Sequence, residues 1–187
     1  MTDPTEQSSV ARTSMPHAEL KALYSSLAAL NAGLKGKVLE ELCATFFGTL
    51  PGVEVVDRRV LDDAQSQEVD LVLDNYQDPD GLVDLDQILF VESKNWANPV
   101  GSAEVAWFDW KIRLSGYSQG FLVVANGVTG RADDKTSAWN ILWQANMEGR
   151  RLIVLTPTEM IACEDTQSVR KLIRSKLRLL AVKHAPL

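Results

Sequence analysis

One stretch constrains the fold more than any other: residues 87–96, which read QILFVESKNW. Its first half is an apolar run of β-prone residues, which is typical of a buried strand. Because side chains alternate along a strand, Glu92 and Lys94 share one face with Phe90 and emerge where the apolar run ends. Charges are rarely buried without a partner or a use, so this pair indicates either a strand-end ion pair or a site.

Two more acidic residues are candidates for the same site. Asp70 lies in the segment 68–74, whose apolar residues alternate as they do in a strand. Glu40 lies at the edge of the apolar arc of a helix predicted over residues 35–50. Gly36, one turn earlier, leaves room for another element to approach closely. The simpler interpretation of Glu40 is a solvated helix carboxylate.

Helices and strands alternate along the rest of the chain. Helical spacing begins at Pro16 and Gly33 offers a stop, whereas Ser102 is the expected N-cap of a helix that reaches Leu114. The other predicted elements are strands over residues 53–61, 120–125 and 151–155, and helices over residues 133–149 and 167–182. This order predicts an α/β fold with a central mixed sheet flanked by helices.

The polar N-terminus has almost nothing to bury, so we expect a disordered tail over residues 1–15. Residues 16–187 are expected to form a single domain with its core at 34–155 and a basic C-terminal helix at 167–182. No apolar run is long enough to span a membrane. Cys43 and Cys163 lie in apolar contexts, which favours reduced core thiols and a cytoplasmic protein.

The charge distribution limits how this chain can bind a polyanion. The net charge is −6, and residues 1–100 alone carry 7 basic and 17 acidic residues. Such a protein does not bind nucleic acid through bulk charge and needs metal ions, a local basic face or a partner. Lys171, Arg174 and Arg178 form such a basic face on the last helix, unless they are simply solvated.

The order of Asp70 on one strand and Glu92-x-Lys94 on the next resembles the active-site motif of the PD-(D/E)xK, or restriction-endonuclease-like, nuclease superfamily. The chain is most similar to the Mrr-type restriction endonucleases of that superfamily. The strings that carry the likeness are Gly36-x-x-x-Glu40, Val69-Asp70 and Glu92-Ser93-Lys94-Asn95-Trp96, followed by Val100-Gly101-Ser102. The resemblance covers roughly residues 34–155.

This resemblance implies a restriction-endonuclease-like three-layer fold and a DNA endonuclease of restriction or genome-defence type. Asp70, Glu92 and Glu40 offer the hard oxygen ligands that Mg²⁺ or Mn²⁺ prefers, and the resemblance adds the carbonyl of Ser93. The same three acids, with Lys94, are the candidate catalytic residues. An unperturbed lysine has a pKa of about 10.4, so Lys94 beside two carboxylates is expected to orient water and stabilise phosphate charge rather than act as a base.

Five residues are candidate nucleic-acid contacts. Lys111 lies inside the apolar arc of the helix over residues 102–114, where it either extends its ammonium group to the surface or contacts phosphate. The other four are Asn95, Lys171, Arg174 and Arg178. No dedicated DNA-binding domain is recognisable, so we expect a homodimer or a partner protein to supply target recognition.

Two alternatives to a nuclease remain open. The first is a catalytically silent nuclease-fold domain that binds nucleic acid or another subunit, which the acidic balance favours. The second is a structural domain in which Glu92 and Lys94 merely pair. The presence of Asp70 together with both residues argues for an enzyme, since a silent site has no need of all three.

Overall fold

The computed structural model describes residues 13–61, 68–130 and 137–182. Within these ranges five strands form one mixed sheet in the order β1 to β5. The strands are β1 (Val53–Leu61), β2 (Glu68–Asn75), β3 (Ile88–Lys94), β4 (Gln119–Val124) and β5 (Arg151–Leu155). The first three strands pair antiparallel, whereas β3, β4 and β5 run parallel. The predicted α/β fold with a mixed sheet is therefore confirmed.

Helices cover both faces of this sheet. They are α1 (His17–Ser26), α2 (Ala32–Gly48), α3 (Ser102–Ser115), α4 (Ala138–Met147), α5 (Pro157–Ile161) and α6 (Thr166–Val182), with a 3-10 turn at Leu27–Ala29. On one face Phe46 and Phe47 of α2 pack in a cluster that contains Val91 of β3. On the other face Phe108 of α3 packs in a cluster that contains Leu122 of β4. Three layers result, and β4 is buried along its whole length.

Helix α2 begins earlier than the sequence predicts. The side chain of Asn31 accepts a hydrogen bond from the backbone N–H of Leu34 and so caps the helix. Gly33, predicted to stop the preceding helix, therefore lies in the first turn of α2. Ser102 is likewise the first residue of α3, because Gly101 occupies the N-cap position.

Helix α4 begins at Ala138, where the side chain of Ser137 accepts a hydrogen bond from the N–H of Asn140. The predicted start at residue 133 lies outside the described residues. Helix α5 is not among the elements that the sequence predicts. Thr156 and Glu159 form a capping box around it, with Pro157 in the first turn.

Residues 13–15 lie against the start of α6. Ser14 forms a β-bridge with Asp165, and the N–H of Met15 donates to the carbonyl of Glu164 over 3.1 Å. The Met15 side chain is 4% exposed and belongs to the core. The tail predicted over residues 1–15 thus includes three residues that are held by the fold, because Met15 supplies apolar surface to bury. The rest of that prediction, over residues 1–12, lies outside the described residues.

The outer face of α3 is more apolar than that of an ordinary surface helix. Helical spacing in the sequence places Trp107 and Leu114 in the apolar arc of this helix, but Trp107 is 46% exposed and Leu114 is 58% exposed. Trp107 stacks on Trp110, with ring centroids 4.7 Å apart and an interplanar angle of 21°. The buried arc of α3 is therefore narrower than the apolar arc in the sequence, and its residues are Val105, Phe108, Lys111 and Ile112. Among the described residues, no helix is long and apolar enough to cross a membrane.

Candidate active site

Strand β3 places Glu92 and Lys94 on one face, as the alternation of side chains predicts. The Nζ of Lys94 lies 2.7 Å from the Oε1 of Glu92. The Glu92 side chain is 6% exposed and that of Lys94 is 31% exposed, so the acid lies beneath the base. The pair lies at the C-terminal end of β3, where the Lys94 side chain has access to solvent.

Lys111 of α3 approaches the same carboxylate from the other side. Its Nζ lies 2.7 Å from the Oε2 of Glu92, and both side chains are 6% exposed. Each oxygen of Glu92 is therefore bonded to one ammonium group. The expectation that Lys111 extends its ammonium group to the surface is wrong, because a buried carboxylate offers a partner that compensates for the loss of water. Its proposed contact with phosphate remains a prediction.

Asp70 lies beside this group on the neighbouring strand. The pairing of Leu71 with Val91 brings Asp70 level with Glu92 and Ser93. Its Oδ2 accepts hydrogen bonds from the N–H and the hydroxyl of Ser93, each over 2.7 Å. Burial, and then the charge of Glu92, raise the pKa of Asp70 more than Ser93 and Lys94 lower it. Two carboxylates therefore face each other closely enough to interact.

Lys94 is protonated in this environment. Burial lowers the pKa of its ammonium group, but the charge of Glu92 and their hydrogen bond outweigh burial, so the pKa is raised. The charges of Asp70 and Glu104 act in the same direction. A lysine with a raised pKa does not accept a proton at neutral pH, and it acts here as a fixed positive charge.

Glu104 is a residue that sequence reasoning missed. It lies in the first turn of α3, one element after the Glu-x-Lys string, and its charge reaches Lys94. The signal that could have found it is an acid in the first turn of the helix that follows this string. That signal is weak, because acids are common at this position for their favourable interaction with the helix dipole.

Glu40 does not join the acids of the sheet. It forms a two-pronged ion pair with Arg59 of β1, in which the Nε of Arg59 lies 2.9 Å from Oε2 and its Nη2 lies 2.9 Å from Oε1. In the part of the chain that the structure describes, no three acidic, histidine or cysteine residues group closely enough to hold a metal ion. Nothing in the sequence marks Arg59 as a partner of Glu40.

Asn95 follows Lys94 at the entrance to a cleft of about 360 Å³ between α1 and the ends of β3 and β4. Its Nδ2 is buried and makes no hydrogen bond to a described residue. Lys35 and Asn126 line the same cleft. Asn126 also donates to the carbonyl of Trp96 over 2.6 Å, which holds the chain after β3 in place. Contact of Asn95 with nucleic acid remains a prediction.

The basic face of α6 lies elsewhere. Arg174 forms an ion pair with Asp84 over 2.6 Å. Asp84 lies before the start of β3, whereas Lys94 is the last residue of that strand. Seven residues of strand separate these ends by about 20 Å. Lys171 and Arg178 are exposed. Contact of these three residues with nucleic acid remains a prediction, and the structure does not bring Arg174 to Lys94.

The donor set fits a divalent cation of the Mg²⁺ class. Asp70 and Glu92 present hard carboxylate oxygens from adjacent strands, and their mutual repulsion is what a cation between them relieves. The N–H and hydroxyl of Ser93 are bonded to Asp70, so its carbonyl is the atom that remains for a metal. The ligand role of Asp70, Glu92 and Ser93 remains a prediction, and Glu40 could share it only if it left Arg59.

The chain matches a protein-family model. The model of the Mrr catalytic domain, described as a restriction endonuclease, matches residues 32–146. The matched region contains all the residues that meet around Glu92, and it ends before α6. Comparison with curated proteins finds no match.

Proposed function

Since this chain belongs to the Mrr-type restriction endonuclease family, we propose that it is a divalent-metal-dependent nuclease that hydrolyses phosphodiester bonds in DNA. The observation that supports this proposal is the group around Glu92. A buried carboxylate bonded to two ammonium groups, with a second carboxylate of raised pKa beside it, is costly to maintain. Ionisable residues with perturbed pKa values concentrate at catalytic and binding sites.

In this proposal Asp70, Glu92 and the carbonyl of Ser93 hold Mg²⁺ or Mn²⁺. When bound, the cation lowers the pKa of a water molecule and neutralises charge on the phosphate. Lys94, half-exposed beside the acids, places its ammonium group against the phosphate oxygens on which negative charge grows. Hydrolysis adds the water oxygen to phosphorus and releases the sugar oxygen, which takes up a proton.

Lys111 has a different role from Lys94. Its side chain is 6% exposed, and its bond to Oε2 fixes the orientation of the Glu92 carboxylate. Lys111 is therefore proposed as a positioning residue. Glu104, at the start of α3, partly balances the positive charge of Lys94, because its own negative charge acts on that ammonium group.

One observation favours the catalytically silent alternative. Every acid of the candidate site is already bonded within the protein: Glu92 to two lysines, Asp70 to Ser93 and Glu40 to Arg59. A binding subunit needs no cation and would keep these bonds. A nuclease cleaves DNA when metal and DNA are both supplied, whereas a catalytically silent domain binds the DNA without cleaving it.

The deciding experiment is cleavage of supercoiled plasmid, single-stranded DNA and RNA with Mg²⁺, with Mn²⁺ and with EDTA. We expect conversion of plasmid to open or linear forms with either metal and none with EDTA. Retention of DNA by the purified protein without cleavage under any of these conditions would establish the silent domain instead. Nicked and linear products also distinguish an endonuclease from an exonuclease.

The biological setting is part of the proposal. The family likeness supports restriction or another form of genome defence, with target recognition supplied by a second copy of the chain or by a partner protein. Cys43 and Cys163 are both buried and unpaired by a disulfide, which suits the reducing cytoplasm.

A further inference from the structure

Arg59 has an unusual backbone conformation. Its φ is +53°, in the left-handed region that residues with large side chains rarely adopt. Such a conformation costs free energy and persists only where the surrounding contacts hold it in place. The contacts of Arg59 therefore explain why the strain is kept.

The strain breaks the alternation of side chains in β1. Consecutive residues of a strand project to opposite faces of a sheet. Arg58 and Arg59 instead both reach α2, where Arg58 pairs with Glu41 and Arg59 pairs with Glu40. Arg58 is level with Leu71 in the ladder and Val60 is level with Val69, which places Arg59 opposite Asp70. The turned backbone thus directs a guanidinium group from beside the candidate site to Glu40.

The contact occupies the whole Glu40 carboxylate. Oε1 accepts from Nη2 over 2.9 Å, and Oε2 accepts from Nε over 2.9 Å and from Nη2 over 2.8 Å. Two-pronged pairs of this kind are stronger and more directional than single hydrogen bonds. The Glu40 side chain is 17% exposed and that of Arg59 is 42% exposed, so the arginine covers the acid.

Arg59 lies opposite Asp70 in the ladder and its side chain reaches Glu40, so one residue links the two acids. Cys43, one turn after Glu40 along α2, is fully buried; burial raises the pKa of its thiol, and the charges of Asp70 and Glu40 raise it further. The same guanidinium fork that binds a carboxylate also matches a phosphate. A phosphate of the substrate backbone is therefore a direct competitor for Arg59.

We propose that Arg59 withholds Glu40 from the divalent cation until a substrate phosphate takes the arginine, at which point Glu40 completes the metal site. This inference rests on the proposed nuclease function. Arg59 is then a positioning residue that couples the binding of the substrate to the binding of the metal. By linkage, DNA strengthens metal binding by the same factor by which metal strengthens DNA binding.

The test is Mn²⁺ binding, followed by electron paramagnetic resonance without nucleic acid, so that no turnover is needed. Arg59→Asn removes the guanidinium group and leaves a residue that tolerates a positive φ. We expect it to tighten Mn²⁺ binding about fivefold, the effect of releasing one partly exposed ion pair. Arg58→Asn is the matched control, because it removes the same charge from the adjacent residue but leaves the ion pair of Arg59 with Glu40 in place. Since the charge of Arg58 also acts on Glu40, its Mn²⁺ affinity should rise much less than that of Arg59→Asn.

Glu40→Gln separates release of the carboxylate from simple loss of positive charge. In a Glu40→Gln background, Arg59→Asn should no longer tighten Mn²⁺ binding. A non-hydrolysable analogue of short DNA should tighten Mn²⁺ binding in the wild type and have little effect in Arg59→Asn. A fivefold gain that persists without Glu40, or equal affinities of wild type and Arg59→Asn, would overturn the proposal.

Two further measurements keep the result interpretable. Circular dichroism melts establish that each variant is folded, and Arg59→Gly replaces Arg59→Asn if the latter does not fold. Wild-type protein that neither binds Mn²⁺ nor cleaves DNA counts against the nuclease function. In that case Mn²⁺ binding gained only by Arg59→Asn would still support the role of Arg59, and binding by neither protein would refute it.

Discussion

Lys111 and Glu92 form an ion pair over 2.7 Å between α3 and β3, with both side chains 6% exposed. Replacing Lys111 with Met leaves one oxygen of a buried carboxylate without its partner, and we expect a loss of about 3 kcal/mol in the free energy of unfolding. Urea denaturation measures this loss. Lys94→Met is the control, because the Lys94 side chain is 31% exposed and its pair with Glu92 is screened by solvent, so the loss should be clearly smaller. Equal losses in the two variants would contradict the burial argument.

Asp70→Ala and Lys94→Ala should each abolish DNA cleavage while the fold is retained. Removal of a metal ligand or of a charge that stabilises the transition state typically lowers the rate by about 10²-fold or more. Initial rates of plasmid cleavage with saturating Mg²⁺ provide the measurement. Lys37→Ala, at an exposed position of α2, is the control. A purified, folded Asp70 or Lys94 variant that cuts at the wild-type rate would remove that residue from the site.

Asp70→Asn should make the protein more stable at neutral pH in the absence of metal. The pKa of Asp70 is raised from its ordinary value of 3.8, first by burial and then by Glu92. The folded protein therefore binds this proton more tightly than the unfolded chain does. The stability linked to Asp70 is complete below pH 3.8 and is lost as the pH rises through the raised pKa.

Urea midpoints of the wild type and of Asp70→Asn, measured with EDTA from pH 4 to pH 8, test this sign. The advantage of the variant should be largest at the alkaline end and shrink on acidification. An advantage that grew on acidification would mean that the pKa of Asp70 is lowered, and that Ser93 and Lys94 dominate its environment.

The basic face of α6 can be tested through the salt dependence of DNA binding. If Lys171 and Arg178 each contact one phosphate, replacing both with Gln should flatten the log–log slope by about 1.8 units. Arg174 is already bonded to Asp84, so adding Arg174→Gln should change the slope little. Fluorescence anisotropy in a salt series with Ca²⁺ measures the slope without cleavage. A slope that is unchanged in the double variant would make α6 a solvated face.

The local pattern of the sequence was sufficient for the strand that carries the site. Alternation over β3 predicted that Glu92 and Lys94 share a face, and they lie 2.7 Å apart. Alternation over β2 likewise placed Asp70 on a strand. The alternation of side chains between the two faces of a strand is a property of the extended backbone, so it does not depend on how the neighbouring elements are arranged.

Contacts between distant elements were less predictable. The helical arc showed that Lys111 faces inward but not which group it meets, since that depends on how α3 packs on the sheet. The positive φ of Arg59 has no signature at all, because arginine does not favour it. Helix α5 differs from both cases. Its capping box and the proline at its first position are both present in the sequence as signals for the start of a helix.

The stacked indoles on α3 give this protein an optical reporter of its own site. Trp107 and Trp110 lie face to face in solvent, 4.7 Å apart, and Trp110 is the residue directly before Lys111. Nearly parallel rings at this separation couple their electronic transitions, which produces a circular dichroism signal that either substitution to Phe would remove. Because Trp110 and Lys111 belong to the same helix, a movement of α3 that accompanies ligand binding at Glu92 should change this signal. We therefore expect occupancy of the acids to be visible as a spectral change, with no label and no turnover.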